Sequence, residues 1–256
     1  MNFATCITAS KADPMKNRLL AALSEGDRSR WLPHLETVSF AAGQVLCESS
    51  TLCDYVYFPT TAVVSLVSTT AEGGTSEVAV VGNDGVVGIG TIMGGRDMPL
   101  RAVVQSAGQT LRMRSHFVKA EADRAGPALQ VLLRYAQSLI TQVMQTAACN
   151  RHHGIEQQLA RRLLMALDRS IGAELTMTQE GVAGLLGVRR EGVTAAALKL
   201  QQAGVIRYQR GHISVLDRNR LEQRTCECYA AVVTEQRRLL PTMQPSLTRP
   251  EMLIAA

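Results

Sequence analysis

The sequence predicts an α+β chain with an N-terminal antiparallel β-barrel or jelly roll, one long helix and a C-terminal winged helix-turn-helix. Three observations carry this. Apolar residues alternate with period two in short runs between Val38 and Met113, and turn residues punctuate them. The period becomes helical after Gly126-Pro127. Finally, Thr178 to Leu200 reads as two short helices around a tight turn, with small residues where the helices must touch.

The elements follow in order. Residues 1–13 look like a loose leader. Leu19, Leu20, Leu23, Trp31 and Leu32 give the stretch Asn17 to Leu35 an apolar helical face. Strands are expected at Val38–Phe40, Val45-Leu46, Tyr55–Phe58, Val63–Val67, Ser76–Val81, Gly85–Gly88, Arg101–Gln105 and Thr110–Met113. Gly43, Pro59, Gly73-Gly74, Asn83-Asp84-Gly85, Gly94-Gly95 and Gly108 mark the turns between them. These segments make up a barrel or jelly roll over 17–126.

A helix over 127–150 carries the stripe Leu129, Leu132, Leu133, Ala136, Leu139, Ile140, Val143 and Ala147. Such a stripe packs on its own domain or pairs with a copy of itself. Pairing is favoured here, with Leu129, Leu132, Ala136, Leu139, Ile140 and Val143 as the dimer interface, because helix-turn-helix proteins commonly read two-fold sites as dimers. A second helix, Ile155 to Ser170, turns Leu159, Leu163, Leu164 and Leu167 inward, and Arg161, Arg162 and Arg169 occupy its polar face. Two short alternating runs, Gly204–Tyr208 and His212–Leu216, flank Arg210-Gly211 as a hairpin. This completes a DNA-binding domain over 151–220, and 221–256 form a terminal helix (from Arg218 to Leu240) and a tail.

Within the helix-turn-helix, Thr178 suits an N-cap, and Ala183, Leu185 and Leu186 supply the buried side. Gly187 falls where the turn needs positive φ. The second helix opens with Arg189, Arg190 and Glu191 and buries Val193, Ala197 and Leu200. Arg189 is a poor cap, and two cations at a helix N-terminus oppose its dipole. That arrangement is unfavourable on a free surface and favourable against phosphates or guanine edges, so it points to DNA.

Charge agrees. Residues 1–150 carry 12 basic and 12 acidic residues, whereas 151–240 carry 14 and 9, so the whole excess of +5 lies in the C-terminal half. At 46% apolar and 19% charged residues the chain is globular, and no apolar run approaches the roughly 18 residues of a spanning helix. No signal peptide is apparent, so the cytoplasm is expected and no membrane partner.

Six cysteines (Cys6, Cys47, Cys53, Cys149, Cys226 and Cys228) are scattered, and disulfides are not expected in a reducing compartment. Cys226-Glu-Cys228 has a shorter gap than metal pairs usually show. Cys149 with His152 and His153 reads as a solvated helix junction ahead of Gly154, so no metal and no cofactor are assigned. No nucleophile–His or acid–base pair stands out, so catalysis is not expected.

A small barrel, a long helix and a winged helix in that order resemble the Crp/Fnr family of bacterial regulators over roughly residues 20–220. The motif runs Thr176-Met-Thr-Gln-Glu, then Leu-Gly187-Val-Arg-Arg-Glu191, Leu200-Gln-Gln-Ala-Gly-Val-Ile-Arg-Tyr208 and Arg-Gly-His212-Ile. The resemblance implies a homodimer on a palindromic double-stranded DNA site, contact with RNA polymerase, and a barrel of the cyclic-nucleotide-binding type. It places Arg190 and Glu191 as base readers, with Thr194 beside them. Where the family often has a further polar reader, this chain has Ala195. Thr178, Arg189, Lys199, Arg207, Arg210 and His212 are candidate backbone contacts, although Lys199 and Arg207 equally suit a solvated surface.

The barrel departs from the nucleotide-binding pattern. Val87-Gly88-Ile89-Gly90 and Met98-Pro99-Leu100-Arg101 replace the ribose-capping Glu and the phosphate-binding Arg-Ser/Thr pair, so cyclic AMP and cyclic GMP are not expected ligands. Cys6 stands alone where redox members cluster cysteines, and His34, Cys47, Cys53 and His116 read as structural rather than haem-binding. The effector stays unassigned. An enzymatic or ligand-binding barrel with an accessory DNA module, and an architectural DNA binder, are the alternative readings.

Overall fold

The computed structural model describes residues 12–95, 97–170, 174–209 and 211–240. Two short helices, α1 (Arg18–Ala21) and α2 (Glu25–Trp31), lead into a β-domain. Its strands are β1 (Glu36–Phe40), β2 (Val45–Cys47), β3 (Tyr55–Pro59), β4 (Val63–Thr69), β5 (Thr75–Val81), β6 (Arg101–Ser106) and β7 (Gly108–Arg114). They form two antiparallel sheets, ordered β1-β7-β3 and β2-β6-β4-β5. Phe58, Leu111 and Met113 bury one side of the first sheet against Trp31 and Leu132. Val64, Leu66, Ala79 and Val81 fill the second.

The segment Gly85–Gly88 does not become a full strand. Val87 only bridges Tyr57. Gly85 is held at close approach instead: an added Cβ would lie 2.3 Å from the ring of Tyr135, whose hydroxyl donates to the Val86 carbonyl at 3.1 Å. A helix not foreseen from the sequence, α3 (Ser115–Asp123), follows β7. Cys47 and Cys53 are joined in a disulfide, with Cα atoms 6.1 Å apart, contrary to the expectation of free thiols. The loop after β2 turns back on itself and brings the two together.

Helix α4 (Pro127–His152) runs along the β-domain, and α5 (Ile155–Leu167) follows after one turn. Next come β8 (Glu174–Thr176), α6 (Gln179–Leu186), α7 (Arg190–Gln202), β9 (Ile206–Gln209) and β10 (His212–Val215). The expected hairpin gains β8 as a third strand, in the order β8-β10-β9. The expected continuous terminal helix is broken into α8 (Arg218–Gln223) and α9 (Glu227–Leu239). Asp217 caps α8 by accepting from the Arg220 N–H at 2.9 Å, and α9 returns to pack along α4.

The expected dimer stripe is largely consumed within the chain. Leu132 is buried against the β-domain, and Ala136 is buried as well. Leu129 is half-buried, and Leu139 and Val143 pack on the sheet cores. Only Ile140 of the expected set is exposed. A parallel row, Leu133, Gln137, Ile140, Met144 and Ala147, faces solvent along the same helix.

The polar face of α5 is also not solvated. Arg161, Arg162 and Arg169 are all buried. Arg162 Nε lies 2.6 Å from Glu77 Oε1, and Arg169 Nη2 lies 2.7 Å from Asp84 Oδ2. Arg162 lies on α5 and Arg169 in the turn just past its C-cap Asp168, and both acids belong to the β-domain, so these pairs lock α5 and its C-terminal end onto it. Burial would raise the Asp84 carboxyl, but Arg169, Arg18 and the hydrogen bonds from Gln236 and Gly82 outweigh it and hold it below its usual range. Burial pushes the Glu77 carboxyl up, with Arg162 pulling the other way.

Edge strand β5 is finished by a side chain from α4. Gln142 accepts from the Val80 N–H at 2.8 Å and donates to the Val80 carbonyl at 3.3 Å, standing in for a neighbouring strand. Truncating one member of a buried ion pair strands the other charge. Asp84→Ala should therefore cost about 3–5 kcal/mol of unfolding free energy, measured by urea denaturation. A loss below about 1 kcal/mol would show that Arg169 is satisfied some other way.

Candidate nucleic-acid interface

The turn between α6 and α7 is set by local chemistry. Thr178 Oγ1 accepts from the Gly181 N–H at 3.0 Å and caps α6. Gly187 ends that helix at φ 66°, in the left-handed region. Val182, Ala183, Leu186, Val193, Ala197 and Leu200 interlock with Leu159 and Leu163 of α5 in one core. The second helix is thereby fixed with its N-terminus outward.

That N-terminus has no side-chain cap: Arg189 occupies the cap position at φ −71° and ψ 145° without bonding the helix. Arg189, Arg190, Glu191, Thr194 and Ala195 are exposed. Among the described residues, Arg189, Arg190 and Glu191 form no ion pair. Free backbone N–H groups, two unpaired guanidinium groups and one carboxylate thus share a single helix end. Thr194 is tied locally, with its hydroxyl 2.8 Å from Gln179 Oε1 and 3.0 Å from the Arg190 carbonyl.

The expected backbone contacts divide. Thr178 is exposed but its oxygen is used as the cap of α6. Arg207 and His212 are exposed on β9 and β10, and His212 Nδ1 sits 3.5 Å from Thr176 Oγ1. Lys199 lies 4.0 Å from Glu156 Oε2, toward the first turn of α5. Arg210 lies outside the described residues.

In the β-domain, Arg101 does not stand ready for a phosphate. Its Nε lies 2.9 Å from Glu48 Oε2, and its side chain is 42% exposed. Met98 and Val87 are buried in the sheet core beside it.

The cysteines of the C-terminal half correct another expectation. Cys149 is fully buried rather than at a solvated junction, and Cys226 and Cys228 are buried against it. His153 is only partly exposed, and its Nε2 lies 3.2 Å from Glu227 Oε1. Sequence spacing missed this group because its members come from opposite ends of the domain.

Comparison with known proteins decides the family. Residues 37–124 match the model of the cyclic nucleotide-binding domain, and residues 157–224 match that of the Crp-like helix-turn-helix domain. The chain belongs to the Crp/Fnr family of DNA-binding transcriptional regulators. Its fold is similar to that of FixK2 from Bradyrhizobium japonicum at 15% identity, covering 75% of this chain and 98% of that one, with a TM-score of 0.63. A CRP-family transcriptional regulator from Thermus thermophilus aligns at 18% identity over 73% of this chain and 95% of its own, with a TM-score of 0.61. The c-di-GMP responsive global regulator CLP of Xanthomonas campestris aligns at 14% identity over 75% and 99%, with a TM-score of 0.59. No curated protein matches the chain at significant sequence similarity. None of its described helices is long and apolar enough to cross a membrane.

For this Crp/Fnr chain the turn glycine is a sharp test of local strain. A side chain at the φ of Gly187 costs about 1–2 kcal/mol. An added Cβ would meet only ordinary contacts, the nearest being the Thr75 carbonyl oxygen at 3.5 Å. Gly187→Ala should lower the melting temperature, read by circular dichroism, with the rest of the fold intact. An unchanged melting temperature would reject the strain argument.

Proposed function

We propose that this regulator binds a two-fold promoter site as a homodimer, reads bases through Arg190 and Glu191, contacts RNA polymerase, and carries out no catalysis. The observation that carries the reading is the uncapped, exposed start of α7, where Arg189, Arg190 and Glu191 stand without ionic partners among the described residues. Arg190 suits the guanine N7 and O6 acceptors, and Glu191 suits the cytosine N4 donor. Thr194 gives up its bond to Gln179 if it reaches a base; Ala195 offers only methyl contact. Arg189, Arg207, His212 and the region of Arg210 serve the phosphates, and Lys199 is a weaker candidate because Glu156 stands beside it.

The second copy is proposed to meet α4 along Leu133, Ile140 and Met144. These residues are 45%, 43% and 54% exposed, and with Gln137 and Ala147 they repeat at spacings of four and three. That is the seam of a coiled coil. The ion pair of Arg101 with Glu48 and the replacement of the ribose-capping Glu by Ile89 support an effector other than cyclic AMP. The site of action is then the cytoplasm, with no cofactor required for DNA reading.

Selection from random duplexes should yield a two-fold consensus; its absence would favour an architectural binder. Arg190→Ala should remove discrimination at one G·C pair per half-site, a loss of roughly 1–3 kcal/mol in competition binding. Uniform weakening across all sequences would instead make Arg190 a phosphate contact. Leu133→Glu with Ile140→Glu should convert dimers to monomers in sedimentation and weaken operator binding, leaving the Leu132 core untouched. An unchanged sedimentation mass would reject this seam.

A further inference from the structure

Four donor atoms converge where α4 ends and α9 begins. The Sγ atoms of Cys149, Cys226 and Cys228 and a ring nitrogen of His153 all lie within 4.8 Å of one another. Cys149 Sγ and Cys226 Sγ are 3.5 Å apart, and Cys228 Sγ and His153 Nδ1 are 3.6 Å apart. We propose that these four residues form a tetrahedral Cys₃His site for one thiophilic divalent cation of the zinc class.

The distances fit a single ion. Zinc–sulfur bonds of about 2.3 Å and zinc–nitrogen bonds of about 2.0–2.1 Å give a tetrahedron with edges of roughly 3.5–3.8 Å. A polynuclear iron–sulfur cluster spreads its ligands over several metals, and four donors this close leave no room for one. Soft thiolates with one imidazole select zinc among the common ions.

Backbone geometry explains how an irregular spacing produces the site. Cys149 lies in the last turn of α4 and His153 is its C-cap, whose N–H donates to the Cys149 carbonyl at 3.0 Å and keeps the two residues together. Cys226 is the N-cap of α9 at φ −92° and ψ 170°, outside the helical wheel, while Cys228 lies in the first turn. The Cys-x-Cys pair therefore converges, although two residues apart within a helix they would diverge. The break between α8 and α9 creates this cap.

The surroundings are those of a ligand set. With His153 Nδ1 toward the sulfurs, Nε2 faces Glu227 Oε1 at 3.2 Å, the carboxylate partner that metal-bound imidazoles usually have. Three thiolates, a neutral imidazole and a divalent ion leave one negative charge. Arg161 is buried, forms no ion pair among the described residues, and leaves its Nε without a hydrogen-bond partner. On binding, three thiol protons pass to bulk water and three metal–sulfur bonds form, with no change of oxidation state.

The test uses the full chain, purified under reducing conditions from zinc-supplemented medium. About one zinc per chain is expected by elemental analysis. Cobalt(II) in its place should give thiolate charge-transfer bands and the intense visible absorption of a tetrahedral site. Cys226→Ser with Cys228→Ser should abolish both, whereas Cys47→Ser with Cys53→Ser should leave both intact. His153→Cys should keep the ion and strengthen the charge-transfer band, which guards against a variant that merely fails to fold. The proposal is overturned if folded wild-type protein binds neither zinc nor cobalt, if the double variant binds as the wild type does, or if several irons with acid-labile sulfide are found.

Discussion

Two arginine–carboxylate pairs buried between α5 and the β-domain are the constraint on which the architecture rests. A buried charge is costly without compensation, and Arg162 and Arg169 have Glu77 and Asp84 opposite them. This fixes the rotation of α5 about its axis, and α5 in turn carries α6 and α7 through their shared core. The pairs have a second property. Deleting one partner leaves a bare buried charge, but separating the two surfaces returns all four charges to water together. Such a contact is costly to mutate and comparatively cheap to open.

Much of the reading domain was legible in the chain. Thr178 and Gly187 are dictated by backbone chemistry within a few residues, and the Arg-Arg-Glu start of α7 stands out by departing from it, so pattern alone locates them. The strands were legible for the same reason, except around Val87, where close approach of Tyr135 outweighs pairing. What pattern misassigned was orientation. Helix α4 has apolar residues on two adjacent faces, one through Leu132 and Ala136 and one through Leu133 and Ile140, and the two differ by a single residue step. Which face meets the sheets depends on side chains such as Tyr135 and Gln142 that have partners far away in sequence.

The arginines of α5 failed for a related reason. A helix with leucines on one side and arginines on the other reads as half solvated, and nothing local distinguishes a guanidinium in water from one in a buried pair. The compensating acids lie 85 residues earlier, on another domain. The cysteines are the extreme case: Cys149 and Cys226 are separated by 77 positions, and only the fold brings them together.

The return of α9 along α4 has a mechanical consequence. The chain enters the reading domain through the turn after α4 and leaves it through the turn before α9, and these two turns lie side by side. A domain tethered at one point can swing in any direction. One held by two strands of chain, and by the buried Arg162–Glu77 and Arg169–Asp84 pairs, is far more restricted. The recognition helix therefore takes its place from both connections and from the buried ion pairs of α5.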